Sequence, residues 1–238
     1  MKVLITGGNS GIGAALVRRL TGEGHDVTFT FCRNEQQAKE IAADTGARGT
    51  RYDHTSAQSI AELARHVREG ELGALVNNAC QPPPRRLLSK VDPDEFMAYQ
   101  NAAVAGVLQL CQAFAEQARR RRAGGAIVNV LSAYTLGMPP AKLAAYVTSK
   151  HALLGLTRAM AVEFIRYGVR VNAISPAMTR TAFIADLPEP FIEQVAKGLP
   201  MERLATAEEV AGVIRFLLSE DSSYVNGANL PVSGGERC

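Results

Sequence analysis

Tyr146 and Lys150 stand four residues apart in an apolar, helix-forming stretch, so both project from one helical face about one turn apart. A phenol with a pKa of about 10 is a poor acid–base at neutral pH. A neighbouring ammonium stabilises the phenolate and lowers that value, so Tyr146 would exchange a proton with a substrate oxygen. Y-x-x-x-K alone also arises by chance. Its weight comes from the residues around it. An apolar run ends at Ser132, whose hydroxyl would hold the substrate oxygen beside the phenol. Asn101 falls mid-helix, where a lone Asn costs helix stability. It is better explained as a backbone or water contact that relays protons from Lys150. Asn77–Asn78–Ala79 closes another apolar run, where small polar residues would line a nicotinamide pocket.

A second constellation lies near the N-terminus. The run Lys2–Thr6 leads into TGGNSGIG, with Gly7, Gly11 and Gly13 opening a helix. Glycine lets the backbone approach a ligand closely, and a helix N-terminus offers unpaired N–H groups to a pyrophosphate. A ligand-free strand-to-helix turn would use the same residues. The spacing, T-G-x-x-x-G-x-G, differs from the commoner G-x-G-x-x-G. After the second strand, no acid occurs between Val27 and Asn34, while Arg33 is present. An acid there would bind a ribose 2′-hydroxyl and an Arg would receive a 2′-phosphate, so NADP(H) is favoured over NAD(H). Arg33 would serve equally as a solvated loop residue. Asp53 would accept from the adenine amino group or sit at a helix N-cap.

Short apolar runs alternate with helix-period segments and position these groups. Strands are expected at Lys2–Thr6, Asp26–Phe31, Ala47–Tyr52, Ala74–Val76, Ala126–Leu131, Arg170–Ile174 and Asn229–Val232. Helices are expected at Gly13–Gly22, Glu35–Thr45, Ser56–Arg68, Pro93–Arg119, Ala145–Tyr167 and Ala207–Leu218. Such alternation implies right-handed crossovers onto a parallel sheet: one α/β, doubly wound domain over residues 1–238, helices on both faces. Ligands of such sheets bind beyond the strands' carboxyl ends, and each motif above follows a strand.

The 238 residues are 47% hydrophobic, with a formal charge of +3. No apolar run approaches the roughly 20 residues of a membrane span, and the N-terminus shows no leader pattern, so a cytoplasmic enzyme is expected. Four scattered cysteines and four dispersed histidines argue against zinc, a disulfide framework or any other metal site. A single basic run, Arg119–Arg122, is too little for general nucleic-acid binding.

Taken in order, TGGNSGIG, Asn77–Asn78–Ala79, Asn101, Ser132 and Tyr146-x-x-x-Lys150 make the chain resemble the short-chain dehydrogenase/reductases, closest in pattern to β-ketoacyl-carrier-protein reductases. The similarity continues through Asn172–Pro176, Pro200–Leu204, Asn226–Gly227 and Gly234–Gly235, and so covers essentially the whole chain. It implies a Rossmann fold with a seven-stranded sheet and a catalytic tetrad of Asn101, Ser132, Tyr146 and Lys150. It also implies cofactor contacts along Gly7, Asn9, Ser10, Gly11, Ile12 and Gly13, and at Arg33, Asp53 and His54. Further contacts would come from Asn78, Ala79, Tyr146, Lys150, Pro176, Thr179 and Thr181. Lys150 would hold the nicotinamide ribose and Thr181 the carboxamide. Three departures stand out: Cys80 where the family has glycine, Ala177 after Pro176, and the loss of an Asp within Leu72–Leu75.

In this family the stretch 181–198 is a mobile lid over the substrate. Here one face of it is apolar through Phe183, Ile184, Leu187, Phe191, Ile192 and Val195. With Pro82–Pro84 and Tyr134–Pro140 it would wall a pocket for an apolar carbonyl compound; the same side chains would also suit plain core packing. The expected reaction is NADP(H)-linked reduction of a ketone, on a β-ketoacyl thioester or polyketide-like chain. Dehydrogenation of a small alcohol, sugar or steroid, or binding without turnover, are the alternatives. Arg119–Arg122 and Arg166 fall where the resembled reductases dock an acidic acyl carrier protein, though helix C-termini favour cations anyway. The family also implies a homotetramer, with the Asn101 and Tyr146 helices paired between subunits and a second interface formed by the C-terminal strand Asn229–Val232 and the tail ending at Cys238.

Overall fold

The computed structural model describes residues 1–236, so the tail at Cys238 lies outside the described residues. Seven strands form one parallel sheet: β1 (Lys2–Ile5), β2 (Asp26–Phe31), β3 (Arg48–Arg51), β4 (Ala74–Asn77), β5 (Gly125–Val130), β6 (Val169–Pro176) and β7 (Asn229–Val232). Their spatial order is β3-β2-β1-β4-β5-β6-β7. The helices are α1 (Gly11–Gly22), α2 (Glu35–Thr45), α3 (Ala57–Glu69), α4 (Pro93–Arg121), α5 (Ala144–Phe164), α6 (Glu189–Lys197) and α7 (Ala207–Leu218). The doubly wound architecture expected from the alternation is present, with bounds shifted by a few residues.

Strand alternation builds two cores. Val3, Ile5, Val76 and Val128 point to one side, where they meet Leu16 and Leu20 of α1, Ile41 of α2 and Ile214 of α7. Leu4, Leu75 and Ile127 point to the other, against Leu63 of α3, Leu110 and Phe114 of α4, and Met160 of α5. With period-two side chains, apolar residues at successive positions bury both faces of the sheet. The chain steps from β3 at one edge back across β1 to β4, and the switch point between β1 and β4 opens a crevice at the strands' carboxyl ends.

Local chemistry sets the ends of these elements. Asp92 caps α4 by accepting from the N–H groups of Asp94 and Glu95, with Pro93 opening the helix. Two local details differ from expectation. The Tyr146 helix ends at Phe164 and tightens into a single 3-10 turn, Ile165–Tyr167, before Gly168 at φ 74°. The amphipathic part of the 181–198 stretch is a true helix, α6, opened by proline near its N-terminus.

Candidate active site

A cleft of about 1540 Å³ runs along the carboxyl ends of β1, β2, β4, β5 and β6. Its glycine-rich end is stitched together by Thr6 and Asn78. The Thr6 hydroxyl accepts from the backbone N–H groups of Asn78 and Ala79, each at 3.0 Å. The Asn78 amide donates to the carbonyls of Thr6 and Gly7, both at 3.0 Å. Asn78 thus braces the glycine loop as well as lining the cleft.

The loop fits a dinucleotide pyrophosphate on two observations. Ser10, at the N-cap of α1, makes no side-chain cap, so the first-turn N–H groups are left for a ligand. A Cβ on Gly13 would lie 2.1 Å from the Gly7 carbonyl oxygen, so only glycine lets the loop fold this tightly. Gly13 is accordingly beneath the loop and does not line the cleft. Gly7, Asn9, Ser10, Gly11 and Ile12 do line it.

At the adenine end, Arg33, Asp53 and His54 all line the cleft, joined by Arg51, which was not among the expected residues. Asp53 Oδ1 is engaged by the backbone N–H and hydroxyl of Thr55, at 2.9 and 2.7 Å. These bonds from Thr55, more than the Arg33 charge, hold the carboxyl below its usual pKa. The N-cap of α3 is Ser56, not Asp53. His54 Nε2 is buried with no protein partner, and burial lowers the ring's pKa despite the opposing charge of Asp53.

At the other end, Ser132, Tyr146 and Lys150 converge, all buried and all lining the cleft. The Ser132 hydroxyl lies beside the Tyr146 phenol. Lys150 Nζ donates to the Val130 carbonyl at 2.8 Å and lies 5.6 Å from the centre of the Tyr146 ring. The expected lowering of the phenol's pKa is corrected here. Burial is the largest influence and leaves the value raised, although Lys150 and Ser132 pull it down and Cys80 pushes it up. Tyr146 is held protonated. Pro176, Thr179 and Thr181 line the same end, with Thr181 against Gly11 across the trough. From the 3-10 turn after Thr181, the Phe183 ring tilts over Tyr146 at 6.4 Å between centroids.

Two expectations are corrected. Asn101 is exposed and does not line the cleft. The α4 face turned toward Tyr146 carries Tyr99 and Ala103, and a residue two positions from each projects to roughly the opposite side at about 100° per residue. Asn101 therefore does not join Ser132, Tyr146 and Lys150. Asn77, likewise, points into the protein. Its amide donates to Asn129 Oδ1 at 2.8 Å and contacts the Cys111 sulfur at 3.3 Å.

Two further residues lie outside the expected set: Tyr99, buried behind Tyr146, and Arg85, which lines the substrate arm. Tyr99 had a signal, an aromatic four positions from Ala103 on the inward face of α4. Arg85 sits in a proline-rich loop with no periodic signal. Among the described residues no cluster of metal-ligating side chains occurs.

Comparison with known proteins agrees with this architecture. A family model described as enoyl-(acyl carrier protein) reductase matches residues 7–236. The 3-oxoacyl-[acyl-carrier-protein] reductase MabA of Mycobacterium tuberculosis is 31% identical over 237 residues, covering 98% of this chain and 91% of that protein. The 3alpha-hydroxysteroid dehydrogenase of Mediterraneibacter gnavus is also 31% identical, covering 98% and 96%. The structure of a single-substitution variant of actinorhodin polyketide ketoreductase with NADPH superimposes with a TM-score of 0.87 at 27% identity, covering 98% and 96%. The chain belongs to the short-chain dehydrogenase/reductase family. It is an oxidoreductase of the kind that binds a nicotinamide dinucleotide.

Proposed function

We propose that this protein is an NADP(H)-dependent ketoreductase that reduces a β-ketoacyl thioester or polyketide-like ketone to a secondary alcohol. The observation that carries the reading is the convergence of Ser132, a protonated Tyr146 and Lys150 beneath an apolar lid. The cofactor, when bound, supplies the hydride. The Ser132 hydroxyl donates to the substrate carbonyl oxygen and holds it beside the phenol. Tyr146 gives its proton to that oxygen as negative charge develops there, and the Lys150 ammonium stabilises the phenolate left behind. Because burial holds Tyr146 in the acid form, it stands ready to give a proton to the substrate oxygen, the role that ketone reduction requires.

For the coenzyme, Arg33 and Arg51 offer two guanidinium groups at the adenine end and so favour a 2′-phosphate. The polyketide ketoreductase with NADPH supports the same choice. Lys150 would hold the nicotinamide ribose, Thr181 the carboxamide, and Asp53 with His54 the adenine side. An acidic acyl carrier protein is the proposed partner at Arg119–Arg122 and Arg166, in keeping with the carrier named for MabA. Arg119–Arg121 form the last turn of α4 and Arg122 its C-cap. A homotetramer is proposed through α4 and α5, whose surfaces expose Met97 and Val162, with Ile165 exposed in the turn after α5. No helix among the described residues is long and apolar enough to cross a membrane, and a cytoplasmic location is proposed.

The test is a turnover screen pairing NADPH and NADH with a ketoacyl-CoA, its N-acetylcysteamine thioester and a steroid ketone, alongside Tyr146→Phe. Reduction of the thioesters with NADPH, lost by at least about 10²-fold in Tyr146→Phe with coenzyme binding retained, is expected. Turnover that survives in Tyr146→Phe would refute the mechanism.

A further inference from the structure

The substrate arm of the cleft is apolar on three sides. Pro82 and Pro83 form one wall, Met138 and Pro139 another, and Phe183 and Phe191 of the lid region the third. Two cationic side chains line this arm, Arg85 and Lys142. Lys142 is exposed in a left-handed turn at φ 71°. Arg85 is more closely engaged. Its Nε lies 3.6 Å from Asp186 Oδ2 on the lid, which joins the two sides of the cleft mouth.

That contact is a weak one. It is longer than a hydrogen bond, and the side chains are 41% and 65% exposed. Exposed pairs of this kind contribute little to stability, so Asp186 is readily exchanged for another anion. The nearby carboxylate of Glu95 is already held by Arg86 at 3.0 Å. The guanidinium fork of Arg85 thus retains donors suited to two oxygens of one phosphate or carboxylate.

We propose that Arg85 is a specificity residue that takes the phosphate at the end of the pantetheine arm of a ketoacyl thioester, displacing Asp186 from the cleft mouth. The inference rests on the ketoacyl-thioester reading above and identifies what distinguishes such a substrate from a free ketone. The acyl chain lies against the apolar walls with its ketone at Tyr146, and the thioester arm leaves the cleft past Arg85. Asp186 occupies the anion's place when the arm is absent, so substrate entry releases a tie between the lid and the loop after β4.

The experiment compares steady-state kinetics on a ketoacyl-CoA and on the matching N-acetylcysteamine thioester, which lacks phosphate. The variants are Arg85→Ala, Arg85→Lys and Asp186→Asn. Arg85→Ala is expected to raise KM for the CoA thioester about tenfold more than for its phosphate-free counterpart, the usual size of a lost charge-assisted hydrogen bond. Arg85→Lys should recover part of that difference. Asp186→Asn should lower KM for the CoA thioester, because a competing anion has been removed. Arg85→Ala affecting the two thioesters equally, or neither, overturns the inference while leaving the ketoreductase reading intact. Wild-type protein that reduces neither thioester overturns the ketoacyl reading and this inference together.

Discussion

The Asn9 side chain donates from Nδ2 to the backbone carbonyl of Arg33 at 2.9 Å. The glycine loop after β1 and the turn after β2 are therefore tied together, and Arg33 is held beside the adenine end of the cleft. Asn34 follows in the left-handed region at φ 55° and caps α2 through its side chain, which fixes the same turn from the other side. Asn9→Ala removes the tie without touching either guanidinium. It should weaken NADPH binding by roughly 1 kcal/mol, about fivefold, while NADH changes less. Fluorescence titration of both coenzymes measures the ratio. Equal weakening of the two would mean that Asn9 acts on the pyrophosphate and not through Arg33.

Ala103, not Asn101, occupies the α4 face that meets Tyr146. Lys150 finds its buried acceptor in the Val130 carbonyl. Asn101→Ala should leave kcat/KM within about twofold of wild type, as is usual for an exposed substitution away from the chemistry. A tenfold or larger fall in kcat would restore Asn101 to the proton path.

The contrast between these two residues shows what was legible beforehand. Period-two and helical periodicities report which face is buried, and that sufficed for the sheet, both helix layers and the Tyr146–Lys150 pair. Ser132 was legible because it follows closely on the carboxyl end of β5, a position fixed in space by the sheet itself. Asn101 was assigned from its residue type within a helix, and residue type does not carry rotational phase. The phase was set by Tyr99, Ala103 and Leu110, all apolar at helical spacing and all readable. The raised pKa of Tyr146 was hidden for a different reason. It is a sum of burial against the Lys150 charge, and burial depends on the lid and on Tyr99, which come from distant parts of the chain. Arg85 and Asp186 lie in irregular loops far apart in the chain, and no pattern within either loop announces their meeting.

The basic end of α4 carries its own test. Arg120 is partly committed, donating to the Arg68 carbonyl at 2.6 Å, while Arg68 pairs with Glu116. Arg119 and Arg121 are the better choices for charge reversal. Arg119→Glu combined with Arg121→Glu should raise KM for a carrier-bound ketoacyl substrate about tenfold at low salt, through slower encounter with an acidic partner. The CoA thioester should be little affected, and the difference should shrink as salt screens the surface. A parallel loss on both substrates would place the effect in folding or in α4 packing, and would remove the docking proposal.

The start of α7 provides a prediction for stability against pH. Thr206 and Glu209 form a reciprocal capping box, and Arg203 adds a two-pronged ion pair to the Glu209 carboxylate. Hydrogen bonding from Arg203, then from the Thr206 backbone, depresses the Glu209 pKa from 4.5 to about 2. A carboxylate whose folded-state pKa lies below its unfolded value stabilises the fold above the unfolded pKa. That contribution is lost as pH falls from about 4.5 toward 2. The consequence reaches the cleft, because Ala205, beside this cap, bridges to Thr179 on the nicotinamide-side loop. Glu209→Gln keeps a side chain able to cap but removes the charge. Urea midpoints measured at pH 6 and pH 3 should fall less between those values for Glu209→Gln than for wild type. Identical falls in the two proteins would show that the Arg203 pair contributes nothing beyond the neutral cap.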